Sequence, residues 1–169
     1  MKSKGFGGSS EADASTMKGQ SWPCLRQFCV FMENRVGRLL ELIRKLEQSE
    51  LRVIALSIAN SVDCAIVRVM VNDADRCREI FQLNNFAFAE SDLVGVEMPD
   101  GPQPYLQVCM ALLQCELNIH YTYPLLFRRN GHGAIALYVD DVDLAIRTLQ
   151  EKGHRLITES DLLNHEDYD

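Results

Sequence analysis

The chain has 169 residues, of which 47% are hydrophobic and 24% charged, a composition typical of a globular protein with one ordinary domain or two small ones. Its net charge of -7 argues against a general nucleic-acid surface, because phosphate binding needs a basic footprint. No apolar run approaches the roughly 20 residues that cross a bilayer, so we expect no membrane-spanning helix.

The first segment, residues 1–23, is rich in glycine and serine and poor in branched apolar residues, so we expect it to be disordered. It lacks the apolar stretch of a secretory signal peptide, and Met17 stays open as an alternative start. The six cysteines form no C-x-x-C pair, and the four histidines are scattered singly. This pattern favours reduced thiols in a cytoplasmic protein without metal or cofactor over a zinc site.

The stretch that organises the chain is FMENRVGRLLELIRKL at 31–46, where an apolar strand over 27–32 turns and enters an amphipathic helix. Apolar residues recur in that helix at positions i, i+3, i+4 and i+7, so we expect one face to lie on a sheet. The residues of this face are Leu39, Leu42, Ile43 and Leu46.

The turn between this strand and helix contains Asn34 and Gly37. Asn34 is predicted to cap the helix, and Gly37 to allow either an unusual backbone conformation or a close approach. A helix start carries free N–H groups and a partial positive charge, so this turn can receive a carboxylate or a phosphate. The same residues also fit a plain strand-to-helix connection.

The elements that follow complete one unit. Apolar residues over 50–59 and 64–71 predict two strands of a hairpin, and Asp73 stands where a helix N-cap is expected. The helix is expected to end near 84–85, with a strand following over 86–90. The resulting order, β-α-β-β-α-β, is that of the ferredoxin-like fold.

The unit then repeats. When the sequence is aligned with itself, residues 50–53 match 116–119, and residues 71–75 match 139–143 at a slightly larger offset. The second unit is predicted to contain, in order, a strand over 93–98, a turn over 99–103, a helix over 104–113, strands over 117–123 and 134–139, a helix over 142–152 and a strand over 155–158.

We therefore predict an α+β fold of two tandem ferredoxin-like βαββαβ units with antiparallel sheets, residues 24–91 and 92–158. Only Ser91-Asp92 is left as a linker, and so short a connection forces the units to pack as one body. The acidic tail, residues 159–169, is expected to fray.

An apolar strand, the motif E-N-R-x-G-x-L at 33–39, an amphipathic helix and an x-L-x-V-I strand together resemble the ACT domain, a small amino-acid-binding regulatory module. The tandem arrangement is similar to small stand-alone proteins built of two ACT domains, over about residues 25–158. The resemblance implies a non-catalytic sensor, in which the strand-to-helix turn lies at an interface between ACT units and contacts an amino acid.

Carried over to this sequence, the resemblance nominates six ligand-binding residues in the first turn: Asn34, Arg35, Val36, Gly37, Arg38 and Leu39. The internal alignment adds their counterparts in the second unit: Asp100, Gly101, Pro102 and Gln103. The copies differ, because Asp100 replaces Asn34. Gln103 replaces Gly37 and removes the permissive backbone. The Asp100 carboxylate repels a ligand carboxylate but could hold an ammonium group, so we expect the first turn to bind and the second unit mainly to supply packing surface.

An amino acid needs donors for its carboxylate and acceptors for its ammonium group. The N–H groups around 36–38 suit the carboxylate, with Arg35 or Arg38 as charged helpers, unless these arginines are only solvated surface residues. The ammonium group is expected to meet the Asn34 side chain or strand-end carbonyl groups of the neighbouring unit.

A rival interpretation comes from residues 132–156, HGAIALYVDDVDLAIRTLQEKGHRL, which resemble the strand-helix segment of the vicinal-oxygen-chelate metalloenzymes. In those enzymes a metal-binding histidine stands five residues before the Val-Asp-Asp step, and here that position is Ala134. His132 is expected in the hairpin turn. Without that ligand, and without a paired His and Glu elsewhere, open-site metal catalysis lacks its parts.

Other catalytic patterns are lacking, since the sequence has neither a G-x-S-x-G elbow nor a G-x-x-x-x-G-K phosphate loop. Asp140, Asp141 and Asp143 fit a helix start better than a catalytic cluster. The strand residues 121–123 could line the groove between the units, although ordinary packing also fits them.

A third interpretation is a regulatory subunit that docks on a metabolic enzyme. The small subunits of acetohydroxyacid synthase contain ACT domains and are built on this logic. Exposed sheet edges of a tandem unit would then serve homodimer formation or such docking. The sequence identifies neither the ligand nor the partner enzyme.

Overall fold

The structure is a computed structural model that describes residues 23–164. The disorder predicted for residues 1–22, the alternative start at Met17 and the end of the acidic tail, 165–169, lie outside the described residues. The longest described helix has 13 residues, so no helix in this part of the chain reaches the length that spans a bilayer.

The strands are β1 (Leu25–Glu33), β2 (Val53–Asn60), β3 (Cys64–Val71), β4 (Ala87–Glu97), β5 (Ile119–Arg129), β6 (His132–Val139) and β7 (Leu156–Ile157). The helices are α1 (Val36–Gln48), α2 (Ala74–Leu83), α3 (Pro104–Leu113), α4 (Val142–Glu151) and α5 (Glu159–Leu163). The predicted α+β class and both βαββαβ units are confirmed, and α3 and β3 have the predicted bounds.

Strand β4 belongs to both units. Over 87–93 it pairs antiparallel with β1. Over 94–97 it pairs antiparallel with β6, and β7 pairs with it from the other side. The strand order is therefore β2-β3-β1-β4-β6-β5, with β7 beside the end of β4.

The predicted linker Ser91-Asp92 is wrong, because both residues belong to β4 and pair with Gln27 and Arg26. Their composition is that of a turn, but each of them lies opposite a residue of β1 in the antiparallel pair. Strand pairing thus overrides the local preference. The two units share a strand where a linker was expected.

Three apolar clusters stabilise this arrangement. The first lies between α1, α2 and the strands β1 and β3, and includes Phe28, Leu42 and Phe81. The second repeats it with α3 and α4 on β4 and β6. The third cluster draws residues from both units, such as Met70 and Ala136, so the two halves of the sheet also pack against each other. The expectation that the units pack as one body is confirmed.

Gly95 permits this packing at the shared strand. A Cβ atom at this position would lie 2.5 Å from Leu25 Cδ1 and 3.0 Å from Ile157 Cβ. The first distance is shorter than real Cβ atoms show and the second is tighter than most, so a side chain here would force Leu25 and Ile157 to shift within the core.

The tail does not fray at residue 159, and that prediction is wrong for residues 159–164. Helix α5 follows Thr158, which forms a capping box with Asp161: each residue's side chain accepts from the other's backbone N–H, at 2.8 and 3.2 Å. Leu162 is buried in the third cluster. Although this segment is acidic, it contains a helix N-cap and a leucine that packs in the core.

The β5–β6 hairpin is longer than predicted. Its turn is Asn130 and Gly131, with φ of 52° and 81°, left-handed conformations that these two residue types tolerate. His132, expected in the turn, is the first residue of β6 and pairs with Arg129. The charged end of β5 was taken for a loop, although a strand at the edge of a sheet readily carries charges.

Candidate functional site

The first turn joins β1 to α1 and is held by the β2–β3 hairpin. Asn34 N–H donates to Asp63 O at 3.2 Å, and Asn34 Nδ2 donates to Ser61 O at 2.8 Å. Arg35 is the N-cap residue, with an extended backbone and no capping bond from its side chain. The prediction that Asn34 caps the helix is therefore wrong, because its side chain ties the turn to the hairpin.

The start of α1 is open to solvent. Residues 33–38 are all exposed, Val36 to 87%. Within residues 23–164, no acceptor meets the N–H groups of Val36 and Gly37. The helix therefore presents unpaired donors and the positive end of its dipole at a surface that an anion can reach.

Both arginines of the turn pair with neighbouring carboxylates. Arg35 Nε lies 3.1 Å from Glu33 Oε2, and Arg38 Nη1 lies 2.7 Å from Glu41 Oε2. All four side chains are well exposed, and such pairs contribute only about 0–1 kcal/mol. Either guanidinium group can therefore change partner at little cost.

The surroundings of Gly37 separate the two roles predicted for it. Its φ lies outside the left-handed region, and an added Cβ atom would meet nothing within 4 Å. Neither its own backbone nor its own packing requires a glycine, although glycine inside a helix is about 1 kcal/mol less favourable than alanine. The unusual backbone conformation predicted for Gly37 is therefore wrong, and the close approach stays a prediction.

The second turn, 100–103, is also exposed but is built differently. Gly101 has a φ of 136°, so this turn uses its glycine for the backbone. Asp100 is 93% exposed, with its Oδ1 3.6 Å from His132 Nδ1. Gln103 is the N-cap residue of α3 and makes no capping bond with its side chain. Among residues 23–164, no hydrogen bond or ion pair joins the two turns.

Four exposed apolar side chains lie on α1 and β2, the helix that begins at the first turn and the strand of the hairpin that holds it, and we call them the α1–β2 patch. It consists of Leu40 and Ile43 of α1 and Leu56 and Ile58 of β2, which are 36–45% exposed. Ile43 was predicted on the buried face and lies at its margin instead. Strand β2 stands at one end of the strand order, and part of it contacts β5, the strand at the other end.

A polar network lies between the two units, and sequence reasoning missed its centre. Gln27 is completely buried; its Nε2 donates to Tyr121 Oη at 2.8 Å, and its Oε1 accepts from Tyr123 Oη. The Arg68 guanidinium lies 4.7 Å from the centre of the Tyr121 ring. Burial raises the pKa of both phenols, so they stay neutral in the folded protein.

Of the acidic residues that resemble a catalytic cluster, Asp141 is the N-cap of α4, and Asp140 accepts a hydrogen bond from Asn118 Nδ2. Asp73 and Asp141 each accept a hydrogen bond from the backbone N–H three residues on, at 3.0 and 2.8 Å. In the described part of the chain, no three His, Cys, Asp or Glu side chains are placed to hold a metal ion. Ala134, where the rival metalloenzymes carry a histidine, is buried in the third cluster.

Comparison with known proteins agrees with this architecture. A family model described as an ACT domain pair matches residues 24–165. Protein BT0572 from Bacteroides thetaiotaomicron is 30% identical and superimposes with a TM-score of 0.75, over 84% of this chain and 97% of that one. The ligand-free regulatory subunit of aspartate kinase from Thermus thermophilus is 10% identical, with a TM-score of 0.50 over 80% and 96% of the two chains. No curated protein matches the chain.

Proposed function

Because the chain belongs to the family of paired ACT domains, we propose that it is a non-catalytic regulatory protein that binds an amino acid or a similar small zwitterion at residues 34–39. Family membership supports a regulatory, ligand-binding role in general. We place the protein in the cytoplasm, where a reducing environment keeps its six free cysteines as thiols.

The observation that carries this proposal is the pairing of unused donors with an unexplained glycine. The N–H groups of Val36 and Gly37 can receive a ligand carboxylate, with Arg35 or Arg38 as a mobile counter-charge. A side chain at Gly37 would occupy the open space through which the ligand approaches. The second turn lacks this space, since Gln103 stands there, and we assign residues 101–103 a packing role.

One chain leaves this site uncovered, whereas binding pockets usually enclose 70–90% or more of a small ligand. We therefore assign the cover to a second copy, in a homodimer formed through the α1–β2 patch. The apolar patch lies beside the turn, and a second copy that packs on it would also cover the ligand. The ligand would then lie at the interface between two ACT units.

The first experiment is a thermal-shift panel of the twenty amino acids at millimolar concentration. A ligand at 100 times its Kd stabilises the native state by about 2.7 kcal/mol, which raises the Tm of a chain of this size by roughly 5–11 °C. We expect a selective rise that Gly37→Gln abolishes. Gly133→Gln is the matched control, because Gly133 also has open space around it. A flat panel, or a rise that survives Gly37→Gln, contradicts the proposal.

The homodimer is tested by sedimentation velocity. Ile58→Lys places a charge in the α1–β2 patch and should yield a monomer that has also lost the ligand-induced Tm rise. Leu83→Lys is the control, since Leu83 is 80% exposed at the end of α2. If the wild-type protein is a monomer with and without ligand, the proposed interface is wrong.

The alternative function is that of a regulatory subunit for a metabolic enzyme such as acetohydroxyacid synthase. What favours it is a second apolar stripe on α3, where Leu106, Met110 and Leu113 are 52–54% exposed at helical spacing. Co-sedimentation with the catalytic subunit from the same organism, lost in Met110→Lys, would support this alternative. Independent sedimentation of the two proteins would exclude that enzyme as the partner.

A further inference from the structure

A cavity of about 300 Å³ lies at one end of the second unit. The end of β4, the beginning of the second turn, the first residue of β6 and the loop between α4 and β7 form its walls. Its polar lining residues are Glu97, Asp100, His132, His154 and Arg155. The volume is at the lower end of the range for small-molecule sites.

Glu97 is the unusual member of this set. It is the last residue of β4, only 5% exposed, and its Oε2 is buried without any hydrogen-bond partner. The nearest positive group belongs to Arg155, whose Nη1 lies 3.5 Å from Glu97 Oε1, while the arginine side chain is 70% exposed. Because that contact is long and reaches the other carboxylate oxygen, it leaves the desolvation of Oε2 uncompensated.

The groups around Glu97 favour a positively charged occupant. Asp100 adds a second carboxylate, and Arg155 offsets only one of the two negative charges. Burial, together with the charge of Lys152, lowers the pKa of His154, so its imidazole is neutral at neutral pH and can accept a hydrogen bond. A metal ion does not fit, since no three possible ligands converge in residues 23–164.

We propose that this cavity binds a small protonated amine, whose ammonium group donates hydrogen bonds to the carboxylates of Glu97 and Asp100. The ammonium group supplies the compact, strongly hydrogen-bonding cation that a buried carboxylate needs and that the exposed Arg155 does not provide. The site lies within one chain and does not use residues 34–39. It goes beyond the proposed function and does not depend on it.

The test uses three pairs of probes that differ in the ammonium group: ethanolamine and ethylene glycol, putrescine and butane-1,4-diol, and alanine and lactate. Binding is followed by NMR of the imidazole C–H signals, with His132 and His154 as reporters and His120 on β5 as an internal reference. We expect at least one amine to shift the two reporter signals saturably while its partner without nitrogen does not.

Two variants make the test specific. Glu97→Gln keeps the shape of the side chain and should weaken amine binding at least tenfold, whereas Glu79→Gln on the exposed face of α2 should leave it unchanged. Without any amine, Glu97→Gln should raise the Tm, because it removes a buried charge that the exposed Arg155 offsets only in part.

The proposal is overturned if no amine shifts the reporter signals, or if Glu97→Gln binds amines as well as the wild type. A fall in Tm in Glu97→Gln would also overturn it, since the carboxylate would then be satisfied by Arg155 alone. Gly37→Gln should leave the amine response intact. Failure at the first turn and failure at this cavity are therefore distinguishable.

Discussion

Gln27 shows how one buried polar residue can tie two units together. It lies on β1, and its amide reaches two tyrosines that are 94 and 96 residues further along the chain, on β5. A buried amide is tolerated only when both its donor and its acceptor have partners, and Tyr121 and Tyr123 provide them. The network therefore fixes the register of one unit against the other.

We expect Gln27→Met to lower the free energy of unfolding by about 1–3 kcal/mol, because it preserves the volume but leaves a buried phenol without its partner. Urea denaturation would measure this loss. In the same background, Tyr123→Phe should recover part of it, because the unsatisfied hydroxyl is then gone. If the two losses simply add, the hydrogen bond between these side chains does not stabilise the fold.

Cys77 makes the free energy of unfolding depend on pH in the alkaline range. Burial, with a smaller effect of the Glu90 charge, raises the pKa of its thiol from 9.0 to about 12. Between these values the unfolded chain has lost the thiol proton and the folded chain has kept it. The unfolded state thus binds fewer protons, and the free energy of unfolding falls as the pH rises above about 9.

The corresponding measurement is urea denaturation at pH 8, 9 and 10. The wild type should lose stability with a slope of up to about 1.4 kcal/mol per pH unit from this group alone. Cys77→Ala should be less stable at every pH but have a shallower slope. Cys64→Ala, which removes an exposed thiol, should keep the wild-type slope. Equal slopes in all three proteins would show that Cys77 does not cause the dependence.

At the scale of elements, the sequence predicts what depends on local period and spacing. Helix α3 and strand β3 were correct to the residue, and Asp73 was correctly placed as a cap. The errors occur where pairing or packing with a distant part of the chain determines the local structure. Ser91 and Asp92 look like a turn until β1 is known to lie beside them, and α5 looks like a frayed tail until the third cluster is there to receive Leu162.

Gly95 allows a sharp prediction about the shared strand. We expect Gly95→Ala to destabilise the protein by about 1–3 kcal/mol, because the new methyl group would overlap Leu25 and Ile157. Gly133→Ala in β6 is the matched control and should change stability little, since nothing lies within 4 Å of its added Cβ. Chemical denaturation would compare the two. Equal stabilities of the two variants would mean that Leu25 and Ile157 can move away from the new methyl group without cost.

At the scale of the whole molecule, one candidate site can be predicted from the sequence and the other cannot. The first turn is contiguous, so a local motif at 33–39 nominates it. The cavity of the second unit is not contiguous, because Glu97 comes from β4, His132 from β6 and Arg155 from the loop before β7. What the sequence does not contain is the burial of Glu97 Oε2, which depends on all three packing together.

The shared strand and the third cluster together predict that the two units unfold as one. If either unit unfolded alone, β4 would lose its partners on one side and the third cluster would be exposed to water. Leu162→Ala, which opens that cluster from α5, should therefore shift both units to the same lower urea midpoint. Residue-resolved NMR during urea denaturation would report β2 and β5 separately. Two distinct midpoints would mean that the units are independent domains joined by a strand, whereas coincident midpoints make the tandem a single cooperative body.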